Sequence, residues 1–223
     1  MREKSQSHPS PHVVIDGLKV PLYFLRPAQN AALEKMLSYP QLQLQSGDQV
    51  LEIGYGHPSL LLALAYSYNN MALGWHGSEV SEAPMTWSSW LPLLQMNIQL
   101  MTPHELSEYQ SHFKLIYAVD VFKDQKDVKM GKPLALNKYE LLRKFQEAYK
   151  LLAPGGRLLI VNDFISEIPL TRVDIEDIGF EVELWKEFTD ELLYTFKDIR
   201  QLFALRKDKG DNYGVTYTYI FKK

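Results

Sequence analysis

At 223 residues, 46% hydrophobic and 23% charged, the chain is long enough to bury one full core and has an ordinary globular composition. A net charge of −3 provides no global attraction to nucleic acid or to an anionic membrane, and the lack of cysteine excludes disulfides, thiolate metal sites and a cysteine nucleophile. Residues 1–17 are polar, and no apolar run reaches signal-peptide or membrane-spanning length, so a cytoplasmic protein is expected.

In chain order, residues 1–11 read as a disordered tail and residues 12–223 as a single domain, with 12–48 leading into a core from 49 to 223. Val13–Val20 carries an Asp16-Gly17 step between apolar residues, the signature of a hairpin. Pro27 opens a helix through about Tyr39 that turns Ala28, Ala31, Ala32, Met36 and Leu37 inward. From Gln49 onward strands alternate with helices. Strands are expected at 49–53, 73–78, 97–101, 113–119, 157–162, 180–185 and 213–221, and helices near 59–68, 83–94, 138–152 and 189–206. Leu151-Leu-Ala-Pro-Gly-Gly156 reads as a helix stop and tight turn. The last strand sets Val215, Tyr217, Tyr219 and Phe221 against Thr216, Thr218 and Ile220, two distinct faces as in an antiparallel strand. Alternating elements of this kind place helices on both faces of a mostly parallel sheet.

The most informative stretch is Val50-Leu-Glu-Ile-Gly-Tyr-Gly56. It reads as a buried strand running into a glycine turn, followed by a helix from Ser59. Such a junction binds cofactors, because glycine lets backbone N–H groups approach a ligand and the helix N-terminus is partly positive. A phosphate would gain nothing from the acid Glu52, two residues before Gly54; a cofactor with a cationic amino-acid end would. Glu79 lies 23 residues beyond Gly56, where an acid can accept both hydroxyls of a ribose.

Together these motifs resemble the class I S-adenosylmethionine (SAM) methyltransferases. Glu52, Gly54 and Gly56 match the acid and the first two glycines of the family's first motif, with Pro58 in place of the third. Leu73-Gly-Trp-His-Gly-Ser-Glu79-Val80-Ser81 resembles its ribose-binding strand, and Tyr149-Lys-Leu-Leu-Ala-Pro-Gly-Gly-Arg-Leu-Leu-Ile160 its helix–turn–strand ahead of strand five. Ile178-Gly-Phe-Glu-Val182 resembles the start of strand six. The pattern departs at Met101-Thr102-Pro103, where an Asp commonly meets the adenine, and at Lys114, where Asp is usual in Phe113-Lys-Leu-Ile.

The resemblance implies a Rossmann-like three-layer α/β sandwich whose mostly parallel seven-stranded sheet has an antiparallel last strand. It implies SAM as cofactor and S-adenosylhomocysteine (SAH) as product. Glu52, Gly54, Tyr55 and Gly56 would hold the amino-acid end, Glu79 the ribose, and Val80 with Thr102 the adenine. The hairpin and helix at 13–39 would cover the cofactor. The implied activity is methyl transfer to a small-molecule acceptor, at oxygen or carbon, since no Asn/Asp-Pro-Pro-Tyr motif follows strand four.

Asp120 after strand four reads as a general base or as a strand-end cap, and Asn162-Asp163 after strand five as loop-capping residues. Together they also resemble the oxygen-ligand set of metal-dependent catechol-type O-methyltransferases, which would suit Mg²⁺, but the capping reading is favoured and no metal site is assigned. His57 in the glycine loop reads as turn packing or an acceptor-activating base. Five lysines at 123, 126, 129, 132 and 138 form either a solvated loop or a cationic mouth, and Trp87 and Trp90 an apolar helix face or an adenine edge. Two rival readings remain. One is a degenerate domain that serves as a binding or scaffold module without catalysis. The other, a nicotinamide dehydrogenase, gives Glu52 no role.

Overall fold

The computed structural model describes residues 12–15, 18–21, 27–55, 59–68, 71–78, 98–122, 137–163, 167–189 and 216–223. The expected tail, the helix at 83–94, all but Thr189 of the helix at 189–206, and the loop 123–136 lie outside the described residues. In the order of the chain the elements are β1 (His12–Ile15), β2 (Leu18–Pro21), α1 (Pro27–Ser38), a 3-10 turn (Pro40–Leu42), β3 (Gln49–Ile53), α2 (Ser59–Ser67), β4 (Gly74–Ser78), β5 (Ile98–Met101), α3 (Pro103–Leu106), β6 (Phe113–Val119), α4 (Lys138–Leu151), β7 (Leu152–Asp163), α5 (Arg172–Ile178), β8 (Glu181–Thr189) and β9 (Thr216–Lys222).

β1 and β2 form the expected antiparallel hairpin. The other seven strands form one sheet in the order β5-β4-β3-β6-β7-β9-β8. β3 pairs in parallel with β4 and β6, β4 with β5, and β6 with β7, whereas β9 runs antiparallel to both its neighbours. One reversed strand, the last, sits inside the sheet rather than at its edge. From β3 the chain first moves outward to β4 and β5 and then returns to β6 on the other side. The carboxyl ends of β3 and β6 therefore flank the topological switch point, where open α/β sheets bind ligands.

Both faces of the sheet are covered, which is why the central strands read as near-continuous apolar runs. One core joins Val50, Leu115, Tyr117, Leu159, Val161 and Ile220 to the inner sides of α1 and α2. The other joins Leu51, Ile53, Ile116, Ala118, Leu158, Ile160 and Phe221 to α4 and α5. In α4 the residues Leu141, Phe145, Ala148 and Leu151 are buried, a spacing of three and four that keeps them on one stripe. Asn137 caps that helix: its side chain accepts from the Glu140 N–H, while the Glu140 carboxylate accepts from the Asn137 N–H.

Three expectations need correction. In α1, Leu37 is 47% exposed while Leu33, one turn earlier, is buried, because Leu37 stands in the last turn of the helix at the margin of its buried face. β7 begins at Leu152, ahead of the Pro154-Gly155-Gly156 turn, which forms a bulge within the strand: the register with β6 shifts between Phe113 and Leu115. Residue 189 closes β8 rather than opening a helix. The sequence reading also missed α3 and α5. Each starts with a reciprocal capping box, Thr102 with Glu105 and Thr171 with Asp174, and that Thr-x-x-acid spacing was the available signal.

Candidate functional site

β3 delivers Glu52 and Gly54 to the switch point. Glu52 is buried, 2% exposed, on the face that α1 and α2 cover. It sits in register between Gly77 of β4 and Tyr117 of β6, and the Tyr117 hydroxyl donates to Glu52 Oε2 at 3.1 Å. Burial first, then the adjacent Glu52 charge and the hydrogen bond to it, push the acidity of Tyr117 well above the ordinary phenol range. Tyr117 is therefore a neutral donor held against a buried carboxylate. Nothing in composition or motif singled it out, since only strand register pairs a tyrosine in β6 with an acid in β3.

Gly54 follows with φ of +72°, and its N–H donates to the Ser78 carbonyl at 2.6 Å, tying the turn to the end of β4. Tyr55 is buried, its ring lying over Gly77 and beside Leu61 of α2. Gly56, His57, Pro58, Glu79, Val80, Trp87 and Trp90 lie outside the described residues.

Thr102 ends β5 and caps α3. Its hydroxyl accepts from the Glu105 N–H at 3.2 Å and lies 2.9 Å from Glu105 Oε2, to which it donates. The Thr102 N–H also donates to Glu105 Oε2, at 2.7 Å, and this backbone bond, then the hydroxyl bond, hold the Glu105 carboxyl below its ordinary range. Beside this turn a cavity of about 360 Å³ runs from Ile53 and Ser78, at the carboxyl ends of β3 and β4, past Pro103 and Leu106 to Tyr109 and the flank of α4. Its size is in the range of small-molecule sites.

Asp120 lies just past β6 with φ of +59°, and its N–H donates to the Val161 carbonyl at 2.9 Å. The short polar side chain of Asp tolerates this left-handed conformation better than most residues. Asn162, at the carboxyl end of β7, is fully buried: its Nδ2 donates to the Phe122 carbonyl at 2.9 Å, and its Oδ1 has no hydrogen-bond partner. On β9 the buried Thr216 and Thr218 hydroxyls likewise have none. Among the described residues no cluster of three or more His, Asp or Glu could hold a metal ion.

Lys114, one of the departures from the family pattern, lies at the amino end of β6, with Nζ 3.4 Å from the Gly155 carbonyl. It is at the edge of the sheet opposite the switch point, so its charge bears on the β7 bulge rather than on the site. Lys138 pairs with Asp174 of α5 at 3.0 Å and so does not serve as a free surface cation.

The fold is shared with solved methyltransferases. A Haloferax volcanii protein assigned as a methyltransferase, seen in complex with the Trm112 methyltransferase activator, matches with a TM-score of 0.56 and 14% identity over 87% of this chain and 89% of that one. A Galdieria sulphuraria protein assigned as a sarcosine dimethylglycine methyltransferase gives 0.54 and 14% over 87% and 84%. Phosphoethanolamine N-methyltransferase 2 of Haemonchus contortus, solved with S-adenosyl-L-methionine, gives 0.51 and 16% over 87% of this chain and 52% of the longer one. No protein-family model matches the chain. Among curated proteins no sequence matches either. The architecture is thus that of these methyltransferases, shared at 14–16% sequence identity. Among the described residues no helix is long and apolar enough to cross a membrane.

Proposed function

We propose that this chain is a SAM-dependent methyltransferase that transfers a methyl group to oxygen or carbon of a small-molecule acceptor and releases SAH. The observation that carries the reading is Glu52: a carboxylate buried inside the central strand, two residues before a left-handed glycine, at the switch point of a methyltransferase fold. The Tyr117 hydroxyl holds one oxygen of that carboxylate, and the ammonium group of an amino-acid cofactor at the switch point is a group of opposite charge that such an acid can receive. SAM brings a sulfonium whose methyl group is already activated, so the protein's task is alignment.

In this reading Glu52 receives the amino-acid end, and the turn Gly54-Tyr55-Gly56 brings backbone N–H groups close to it. Glu79 takes the ribose hydroxyls. Val80 and the Thr102–Pro103 turn border the adenine, with the cavity beside Ser78, Pro103 and Leu106 as its room. Asp120 stands at the end of β6 as the candidate base for the acceptor's proton. The unpartnered Asn162 Oδ1 and Thr216 Oγ1, both near the carboxyl end of β7, favour a polar acceptor over a hydrocarbon one. The net charge of −3 favours a small-molecule partner over nucleic acid.

One observation favours a second reading, a binding or scaffold module on the same fold: the Thr102 hydroxyl is already engaged in capping α3. Calorimetric titration of SAM and SAH into wild type and Glu79→Ala separates the two. The enzyme reading expects micromolar-range binding that the substitution weakens by about 1–3 kcal/mol, through lost hydrogen bonds to a charged group. A folded wild type that binds neither ligand overturns it and leaves the module.

A further inference from the structure

We infer that Tyr117 is a positioning residue for the cofactor's amino-acid end, acting through Glu52; this rests on the reading of Glu52 just given. The two residues are register partners on adjacent parallel strands, both buried, with the Tyr117 hydroxyl donating to Glu52 Oε2 at 3.1 Å. A carboxylate on a strand can swing through several rotamers, and each change would re-aim its charge. The phenol restrains one of its oxygens, and the phenol itself cannot shift: Tyr117 is fully buried, packed in the core that contains Val50, Leu115 and Leu159 beneath α1. Because Tyr117 holds its proton well above the ordinary phenol range, it remains a donor throughout the working pH range. β6 thus aims the acid of β3 from the far side of the switch point, and the hydroxyl need not touch the cofactor.

The test compares two ligands that differ only at that end: SAH, and methylthioadenosine, which keeps the nucleoside and sulfur but lacks the amino acid. Calorimetry on wild type, Tyr117→Phe, Glu52→Gln and the double variant reads the affinities. Tyr117→Phe should weaken SAH about tenfold, as expected for a lost hydrogen bond to a charged group, while methylthioadenosine changes less than about twofold. Glu52→Gln should show the same selectivity. In the double variant the two losses should fail to add, because both remove one interaction. A role in packing alone would lower both ligands together, and that outcome, or no change in either, overturns the inference. If wild type binds neither ligand, it is the cofactor reading that falls. Should Tyr117→Phe alone not fold for want of a donor to the buried acid, the double variant leaves no carboxylate stranded, and its comparison with Glu52→Gln decides: any further selective loss of SAH in the double shows that Tyr117 does not act through Glu52.

Discussion

The ring of Tyr55 occupies the space that a side chain at position 77 would need. A Cβ built on Gly77 would lie 2.9 Å from Tyr55 Cδ1, 2.8 Å from Leu100 Cδ2 and 3.2 Å from Leu61 Cδ2. The residue between the two glycines of the turn therefore rests on the strand that leads to Glu79, and α2 and β5 close the space from either side. The glycine of the second motif serves the geometry of the first. Gly77→Ala should destabilise the fold by about 1–3 kcal/mol, the usual cost of overfilling a packed interior, with urea unfolding as the measure. It should also weaken SAH, because the displaced ring moves the turn. The companion Tyr55→Phe keeps the ring and tests whether stability depends on it rather than on the hydroxyl.

Gly54 should tolerate no side chain. At φ of +72° an alanine carries left-handed strain of about 1–2 kcal/mol, and the alternative, rotating out of that region, breaks the 2.6 Å bond from its N–H to Ser78. Gly54→Ala should lower the unfolding free energy by about that amount. SAH binding, followed by calorimetry on the folded variant, should be lost, a larger effect than the stability change alone explains.

The fold was legible because its signals are local and periodic. β3 and β6 follow from apolar runs bounded by glycine or a polar residue, β4 from its resemblance to the family's ribose-binding strand, and α4 from its three–four spacing. Residues whose position depends on register could not be read in the same way. In the sequence Tyr117 is one more β-favouring aromatic, and only the register of β6 on β3 sets it against Glu52; Lys114 departs from the family's pattern, and only the direction of β6 puts it at the end away from the site. Thr102 carried two valid meanings, cap and ligand contact, and the sequence has no means of ranking a helix of a single turn. Leu37 failed for a geometric reason: it stands in the last turn of α1, just past Leu33 at the margin of a broad buried face.

His76 gives the stability a pH dependence above the range of the carboxylates. Its Nε2 lies 2.8 Å from Gln49 Oε1, its Nδ1 is buried with no partner, and burial, reinforced by the nearby His112, lowers its pKa to about 4. The unfolded chain takes up this proton near pH 6.5 and the folded chain only near 4, so the neutral histidine's contribution is complete above 6.5. It falls away as the pH drops between those values. Between pH 7 and pH 5 the unfolding free energy should fall by about 2 kcal/mol from this residue. Asp174, held at about 2 by its Thr171 hydrogen bonds, changes charge only in a lower window. Urea unfolding at the two pH values, in wild type and His76→Gln, isolates the effect: the variant should lose most of the slope, and an unchanged slope would assign it to other histidines.

Arg157 and Glu183 are joined by two hydrogen bonds, Nε to Oε2 at 2.7 Å and Nη2 to Oε1 at 2.8 Å, spanning from β7 to β8 across the reversed strand β9. Both side chains are largely shielded from solvent, 16% and 14% exposed, so the pair is neither an ordinary surface contact nor a desolvated charge in the core. The planar fork of arginine fits a carboxylate in a way a lysine ammonium cannot, and Arg157 also lies against the Gly155 carbonyl of the bulge that opens β7. Arg157→Lys should therefore cost about 1 kcal/mol despite the retained charge. Arg157→Met should cost more, about 2–3 kcal/mol, since it leaves Glu183 half-desolvated without its partner. The double variant Arg157→Met, Glu183→Leu should recover much of that loss, because the remaining apolar pair removes the stranded charge. A Met variant no worse than the Lys variant in urea unfolding would show that water already carries Glu183, and that the strand order around β9 stands without this clamp.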